Sequence, residues 1–212
     1  MSIASSEDRI IAKASDTIRS GGLVAFPTDT YYALGADALE PTAVARIFTA
    51  KGRDVGQPVP VLLADDADVI SVATTFPQLA MDLAAAFWPG PLTIVLKAAP
   101  NVPAETTAGR STVGLRVPDH ELARRIIQSA GRPVTGTSAN QSGFPPLKKA
   151  WEVQRELGGA VDFVVPGECG QYGAPSTVVD FSGDRPRLVR TGAISLEDME
   201  KVIGDVAIMR GR

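Results

Sequence analysis

Cysteine occurs once in the 212 residues, at Cys169, and histidine once, at His120. A single thiol cannot close an internal disulfide and fits a reducing compartment. With no second cysteine and no histidine in its segment, Cys169 also has no partners for a zinc site or a redox pair. Net charge is small: the formal value is −3 with a pI of about 5.2, so no global field draws nucleic acid to the protein. No stretch reaches the roughly 18 uncharged apolar residues that a membrane span needs. Met1 to Ser20 carries Glu7, Asp8, Arg9, Lys13 and Asp16 among its apolar residues, and so lacks the apolar region of a secretory signal. A soluble, cytoplasmic protein with no membrane contact is expected. The chain contains neither a Walker Gly-x-x-x-x-Gly-Lys-Ser/Thr loop nor a Gly-x-Ser-x-Gly elbow. A Ser-His-Asp triad would have to use His120, which follows Pro118 at an expected helix start and reads as a cap or surface residue.

What is present is a core. Hydrophobic residues make up 44% of the chain, which argues against disorder, and its length suits one α/β domain spanning 1–212 with a core from about 10 to 204. Ser5, Ser6 and Asp8 suit the cap of a first helix, and Gly21-Gly22 ends it. Leu23–Phe26 reads as a buried strand, and Pro41 opens a helix packed through Ala43, Val44, Ile47 and Phe48. Further strands are expected at Val59–Leu63, Leu92–Leu96, Val113–Val117, Val134–Thr137, Val161–Val165, Thr177–Phe181 and Leu188–Arg190. Helices are expected at Gln78–Phe87, from Asp119 through Ile127, near Lys149–Leu157 and from Ser195. Several strand pairs have no helix between them, which favours one mixed sheet with helices on its faces.

Two polar motifs stand out at the ends of such elements. Lys51-Gly52-Arg53 supplies two cations and a glycine, either to complement a helix C-terminus or to hold phosphate, lysine as a point charge and arginine as a fork. Thr137-Ser138-Ala139-Asn140 supplies two further hydroxyls and an amide, again as a plain loop or as part of a site. Pro27-Thr28-Asp29-Thr30-Tyr31-Tyr32 follows a strand directly, where functional loops of open α/β sheets lie, and is also a reasonable polar turn. Lys148-Lys149 and Arg185, Arg187 and Arg190 form small basic clusters, usually solvated and at most able to touch tRNA phosphates weakly.

Read in order, the motifs resemble the YrdC-like family of threonylcarbamoyl-AMP synthases. The blocks are Pro27–Gly35, Lys51-Gly52-Arg53, Trp88–Thr93, Gly114–Pro118, Thr137–Asn140, Ser176–Asp180 and Arg190-Thr191-Gly192. They span roughly residues 20 to 195. The resemblance implies a YrdC-like α/β fold, a twisted open mixed sheet flanked by helices around a large concave cavity. It also implies a reaction in which L-threonine, bicarbonate and ATP give threonylcarbamoyl-adenylate and pyrophosphate. A downstream threonylcarbamoyl-transferase complex would then modify the adenosine beside the anticodon of tRNA.

The family's nucleotide positions fall on Lys51, Arg53, Gln57, Thr112, Ser138, Asn140 and Arg190, with Lys51 and Arg53 serving the chemistry. Its threonine positions fall on Thr30, Arg116, Ser176 and the backbone near Gly136. Magnesium is expected with ATP, although no carboxylate cluster marks a protein metal site. Leu62 stands where many members carry a histidine, Asp54 where proline usually follows the arginine, and Pro146 where a serine or threonine often contacts ATP. Two other readings share the fold: a non-catalytic RNA-binding module, which the acidic pI disfavours, and an enzyme that adenylates a different carbamoyl group.

Overall fold

The computed structural model describes residues 5–170 and 172–204 and, for the backbone, 209–210. Its strands divide into two mixed sheets rather than the single sheet expected. The smaller has the order β7 (Thr137–Ser138), β2 (Ala33–Gly35), β1 (Val24–Phe26), β8 (Phe163–Val164). Only β1 and β8 run parallel within it. The larger has the order β11 (Met209–Arg210), β10 (Arg187–Arg190), β9 (Thr177–Asp180), β4 (Leu92–Lys97), β5 (Thr112–Arg116), β3 (Val61–Leu62), β6 (Val134–Thr135).

Several helices begin at an identifiable cap. In α1 (Ser6–Arg19) the Ser5 hydroxyl accepts from the Asp8 amide while the Asp8 carboxylate accepts from the Ser5 amide. In α2 (Pro41–Lys51) proline holds the first turn, where its missing N–H costs nothing. The 3₁₀ helix Asp66–Ser71 is capped by Asp65. The helix expected from Asp119 begins at Glu121 and runs to Ala130 as α5; its cap is His120, whose Nδ1 accepts from the Ala123 amide. The remaining helices are α3 (Gln78–Phe87), the single turn α4 (Ala104–Thr107), α6 (Ala150–Leu157) and α7 (Leu196–Ile203).

The smaller sheet is covered on both sides. Phe26 and Ala33 pack against Ile11, Ala14 and Ile18 of α1 and Ala123, Ile126 and Ile127 of α5. Ala25 and Leu34 pack the other way, against Ile47 of α2 and Val153 and Leu157 of α6. The larger sheet is covered on one face only along its centre. Leu92, Ile94, Leu96, Val113, Leu115 and Val179 bury against Leu83 of α3 and Met199 of α7. Because side chains alternate along a strand, Thr93, Gly114, Arg116 and Val178 turn to the opposite face. That face looks toward the loops of the smaller sheet, and the site lies between them. Among the described residues no helix is long and apolar enough to cross a membrane.

Candidate active site

A cleft of about 650 Å³ opens where the two sheets meet. One wall comes from the β1–β2 loop, Thr28 and Thr30 to Tyr32, and from β7; the other comes from β3, β4, β5 and β10 of the larger sheet. Leu62 on β3 pairs with Arg116 on β5. The β4–β5 register, Ile94 opposite Leu115, sets Thr93 beside Arg116. Thr93 pairs in turn with Val178, and Val178 with Arg190. Leu62, Arg116, Thr93, Val178 and Arg190 therefore form one row across five strands, on one face.

Arg116 is the most constrained member of the row. Its Nε donates to the Gly90 carbonyl at 2.9 Å, Nη1 to Thr30 Oγ1 at 3.2 Å and Nη2 to Asp29 Oδ1 at 2.5 Å. Both ions of the Asp29 pair are buried. Three of the five guanidinium N–H groups are thus spent on the protein, and two remain for a ligand. Thr30 is itself placed by Thr28, whose Oγ1 accepts from the Thr30 amide and lies 3.1 Å from Thr30 Oγ1. The other Asp29 carboxylate oxygen is buried without a partner.

At the far end of the row Arg190 folds over Ser176. Its Nη2 donates to the Ser176 carbonyl at 2.8 Å and to Ser176 Oγ at 3.0 Å, and Ser176 Oγ lies 2.8 Å from Thr93 Oγ1. Partial burial pushes the Arg190 pKa down, and the Arg116 charge pushes it further the same way. Gly192 makes this corner possible. A Cβ there would stand 2.3 Å from the Pro175 carbonyl oxygen and 2.4 Å from the Ser176 carbonyl carbon, so only glycine admits so close a crossing.

The third cationic group comes from the end of α2. Gly52, at φ 57°, stops the helix in the left-handed conformation and sends Arg53 toward the cleft. Arg53 Nη1 donates to Thr137 Oγ1 and Nη2 to the Pro58 carbonyl, both at 3.1 Å, while Nε is buried and unpartnered. Lys51 stays beneath the cleft. Its Nζ donates to the Ser138 carbonyl and, at 2.6 Å, to the Asn140 carbonyl. Burial, and secondarily the Arg53 charge, bring the Lys51 pKa down to about 8. Three arginines thus border one opening, with Lys51 behind it and Asp29 the one carboxylate paired into the group.

Of the residues proposed from sequence, Thr30, Arg53, Gln57, Arg116, Gly136, Ser138, Ser176 and Arg190 line the cleft. Lys51, Asn140 and Thr112 do not. Asn140 directs its amide nitrogen to the carbonyls of Gln141 and Phe144, leaving Oδ1 buried and unpartnered. Thr112 pairs with Lys97 at the distant end of β5. The Gly136 amide is occupied by the Pro60 carbonyl at 2.7 Å, so its carbonyl is the backbone group left for a ligand. Thr93 and Asp29 lie inside the sequence blocks Trp88–Thr93 and Pro27–Gly35; Asp29, expected there only as part of a polar turn, is buried in an ion pair with Arg116, and Thr93 stands beside Arg116 in the sheet register. Tyr31 and Tyr32 both reach the cleft wall, Tyr32 with its hydroxyl buried on the carbonyls of Val165 and Gly167.

The sequence model of the Sua5/YciO/YrdC family, described as "Telomere recombination", matches residues 16–192. A threonylcarbamoyl-AMP synthase of Pyrococcus abyssi is 42% identical over 202 residues, covering 95% of this chain and 59% of its own length. The crystal structure of P. abyssi Sua5 complexed with L-threonine superposes with a TM-score of 0.92 at 41% identity, covering 99% of this chain and 61% of the other. A putative threonylcarbamoyl-AMP synthase of Mycobacterium tuberculosis is 37% identical, with 96% of this chain and 94% of the relative covered. The chain spans about three-fifths of the length of the first curated relatives it matches.

Proposed function

Because the chain belongs to the Sua5/YciO/YrdC family, we propose that it acts as a threonylcarbamoyl-AMP synthase, joining L-threonine, bicarbonate and ATP into threonylcarbamoyl-adenylate with release of pyrophosphate and water. The observation that carries the reading is the row from Arg116 to Arg190 facing Arg53 across one cleft. It offers a fork for an amino-acid carboxylate at one end and cations for phosphate oxygens at the other.

In this reading the carboxylate of threonine takes the two free N–H groups of Arg116, whose plane is fixed by Gly90, Thr30 and Asp29. Arg53, Gln57, Ser138 and Arg190 hold the nucleotide, and Lys51 sets the Ser138–Asn140 backbone from below. The amine nitrogen bonds to the bicarbonate carbon as water leaves. One carbamate oxygen then attacks the α-phosphorus, and the bond to pyrophosphate breaks. Negative charge grows on the departing pyrophosphate, where fixed cations are worth most, and holding three reactants in one cleft removes much of their entropic barrier.

Magnesium, when bound with ATP, would neutralise phosphate charge. Among the described residues no group of three or more His, Cys, Asp or Glu stands together to ligate it. A transferase that consumes the adenylate and delivers the threonylcarbamoyl group to tRNA completes the reading.

The test is pyrophosphate release from ATP by the purified chain in bicarbonate buffer. Release that depends on L-threonine supports the reading. Release no greater than in the threonine-free control removes it.

A further inference from the structure

Arg116 and Asp29 form a buried ion pair, yet they come from different parts of the chain: Arg116 ends β5, and Asp29 sits in the β1–β2 loop. Their alignment depends on what holds those two segments against each other. On the Asp29 side it is the connection that leaves β8. The Gly170 amide donates to the Thr28 carbonyl at 2.9 Å, and the Tyr172 amide donates to the Asp29 carbonyl at 3.1 Å. The approach is close, since a Cβ on Gly170 would stand 2.8 Å from Asp29 Cα. The Tyr32 hydroxyl ties the same connection to the smaller sheet through the carbonyls of Val165 and Gly167, and Glu168 bridges to Lys149 at the start of α6.

On the Arg116 side the link is His120. It lies four residues after Arg116, where β5 leads into α5, and both of its ring nitrogens are used. Nδ1 accepts from the Ala123 amide at 3.4 Å, and Nε2 lies 3.0 Å from the Glu168 carbonyl oxygen. An amide N–H can only donate and a carbonyl can only accept, so the ring proton sits on Nε2 and is donated to Glu168. Capping α5 needs Nδ1 alone; the bond to Glu168 serves something else. Among the described residues, it is the one hydrogen bond that reaches this connection from the segment carrying Arg116.

We propose that His120 is a positioning residue for Arg116. Its Nε2 proton closes a ring of contacts that runs from Arg116 along the chain to His120 and across to Glu168. From there it passes through Gly170 and Tyr172 to the backbone of Thr28 and Asp29, and returns through the Asp29 carboxylate to Arg116. Opening the ring at His120 lets the β1–β2 loop shift against β5 and misplaces the guanidinium plane offered to the carboxylate of threonine. The inference rests on the function proposed above and adds a residue that does not itself line the cleft.

Two substitutions separate this role from capping. His120→Asn keeps an oxygen that caps helices well, but its side chain is too short to reach Glu168. His120→Gln caps less well but carries an amide N–H to about the position of Nε2. In hydrogen exchange, the Gly170 and Tyr172 amides should exchange about threefold faster or more in His120→Asn than in wild type, as expected for one lost hydrogen bond, while the Ala123 amide keeps its wild-type rate. In turnover, His120→Asn should raise the KM for L-threonine about threefold or more, with kcat and the KM for ATP within about twofold of wild type. His120→Gln should leave both KM values near wild type. Wild-type exchange at Gly170 and Tyr172 in His120→Asn overturns the proposal. So does a threonine KM that is unchanged in that variant, or that rises in step with the KM for ATP. If the wild-type chain makes no pyrophosphate at all, the proposed function falls and the exchange comparison alone decides whether His120 holds the loop.

Discussion

Replacing Asp29 by asparagine removes the charge that fixes one edge of Arg116 while leaving a side chain of the same shape. The pair is buried on both sides, so the loss is not screened by water. A charge-assisted hydrogen bond of this kind is worth about 1.5–3 kcal/mol, or roughly 10- to 100-fold in binding. Asp29→Asn is therefore expected to raise the KM for L-threonine by that factor with little change in the KM for ATP; equal rises in both would mean that Asp29 serves the cleft as a whole. Lys51 makes a separate prediction about pH. Its folded pKa of about 8 lies below the ordinary lysine value of 10.5, so the unfolded chain holds this proton over a range where the folded chain has released it. The folded state must then gain stability as pH rises from about 8 to 10.5. Urea midpoints should climb more across that range for wild type than for Lys51→Met; parallel curves would place the depressed titration elsewhere.

At the scale of elements, the site depends on crossings that only small residues permit. Adding a methyl group at Gly192 drives it into the backbone of Pro175 and Ser176, which cannot move without displacing Thr177 and its hydrogen bonds with Ile194. Gly192→Ala is expected to cost about 1–3 kcal/mol of stability, as overpacking does, and to weaken the grip of Arg190 on Ser176. A denaturation midpoint equal to wild type would contradict this. The same scale shows what could be read from sequence. Helix α3 matches its expected span, Gln78–Phe87, because Pro77 and the Trp88-Pro89 step bound a clear apolar segment. Strand β3 shrinks from Val59–Leu63 to two residues because Pro58 and Pro60 have no N–H to give a ladder. Strand β2 was hidden inside the block Pro27–Gly35: three residues are too few for a periodic signal, and its pairing with β1 and β7 is tertiary information.

For the whole molecule, the ordered blocks of sequence carry the family and the α/β class, while the division into two sheets comes only from pairing between distant strands. The cleft lies between one face of the larger sheet and the loops of the smaller one. Eight of the residues suggested by resemblance come together there, from segments as far apart as Thr30 and Arg190. Lys51 and Asn140 sit behind the wall because their contacts are with backbone carbonyls, which no motif reveals. In the proposed reaction this cleft joins an amino acid, a one-carbon anion and a nucleotide into one molecule. Mass analysis of the products made from ATP, L-threonine and ¹³C-bicarbonate is the decisive measurement. The expected product is an adenylate containing both threonine and a single ¹³C label; AMP or ADP alone, or an adenylate without the label, would rule this reaction out.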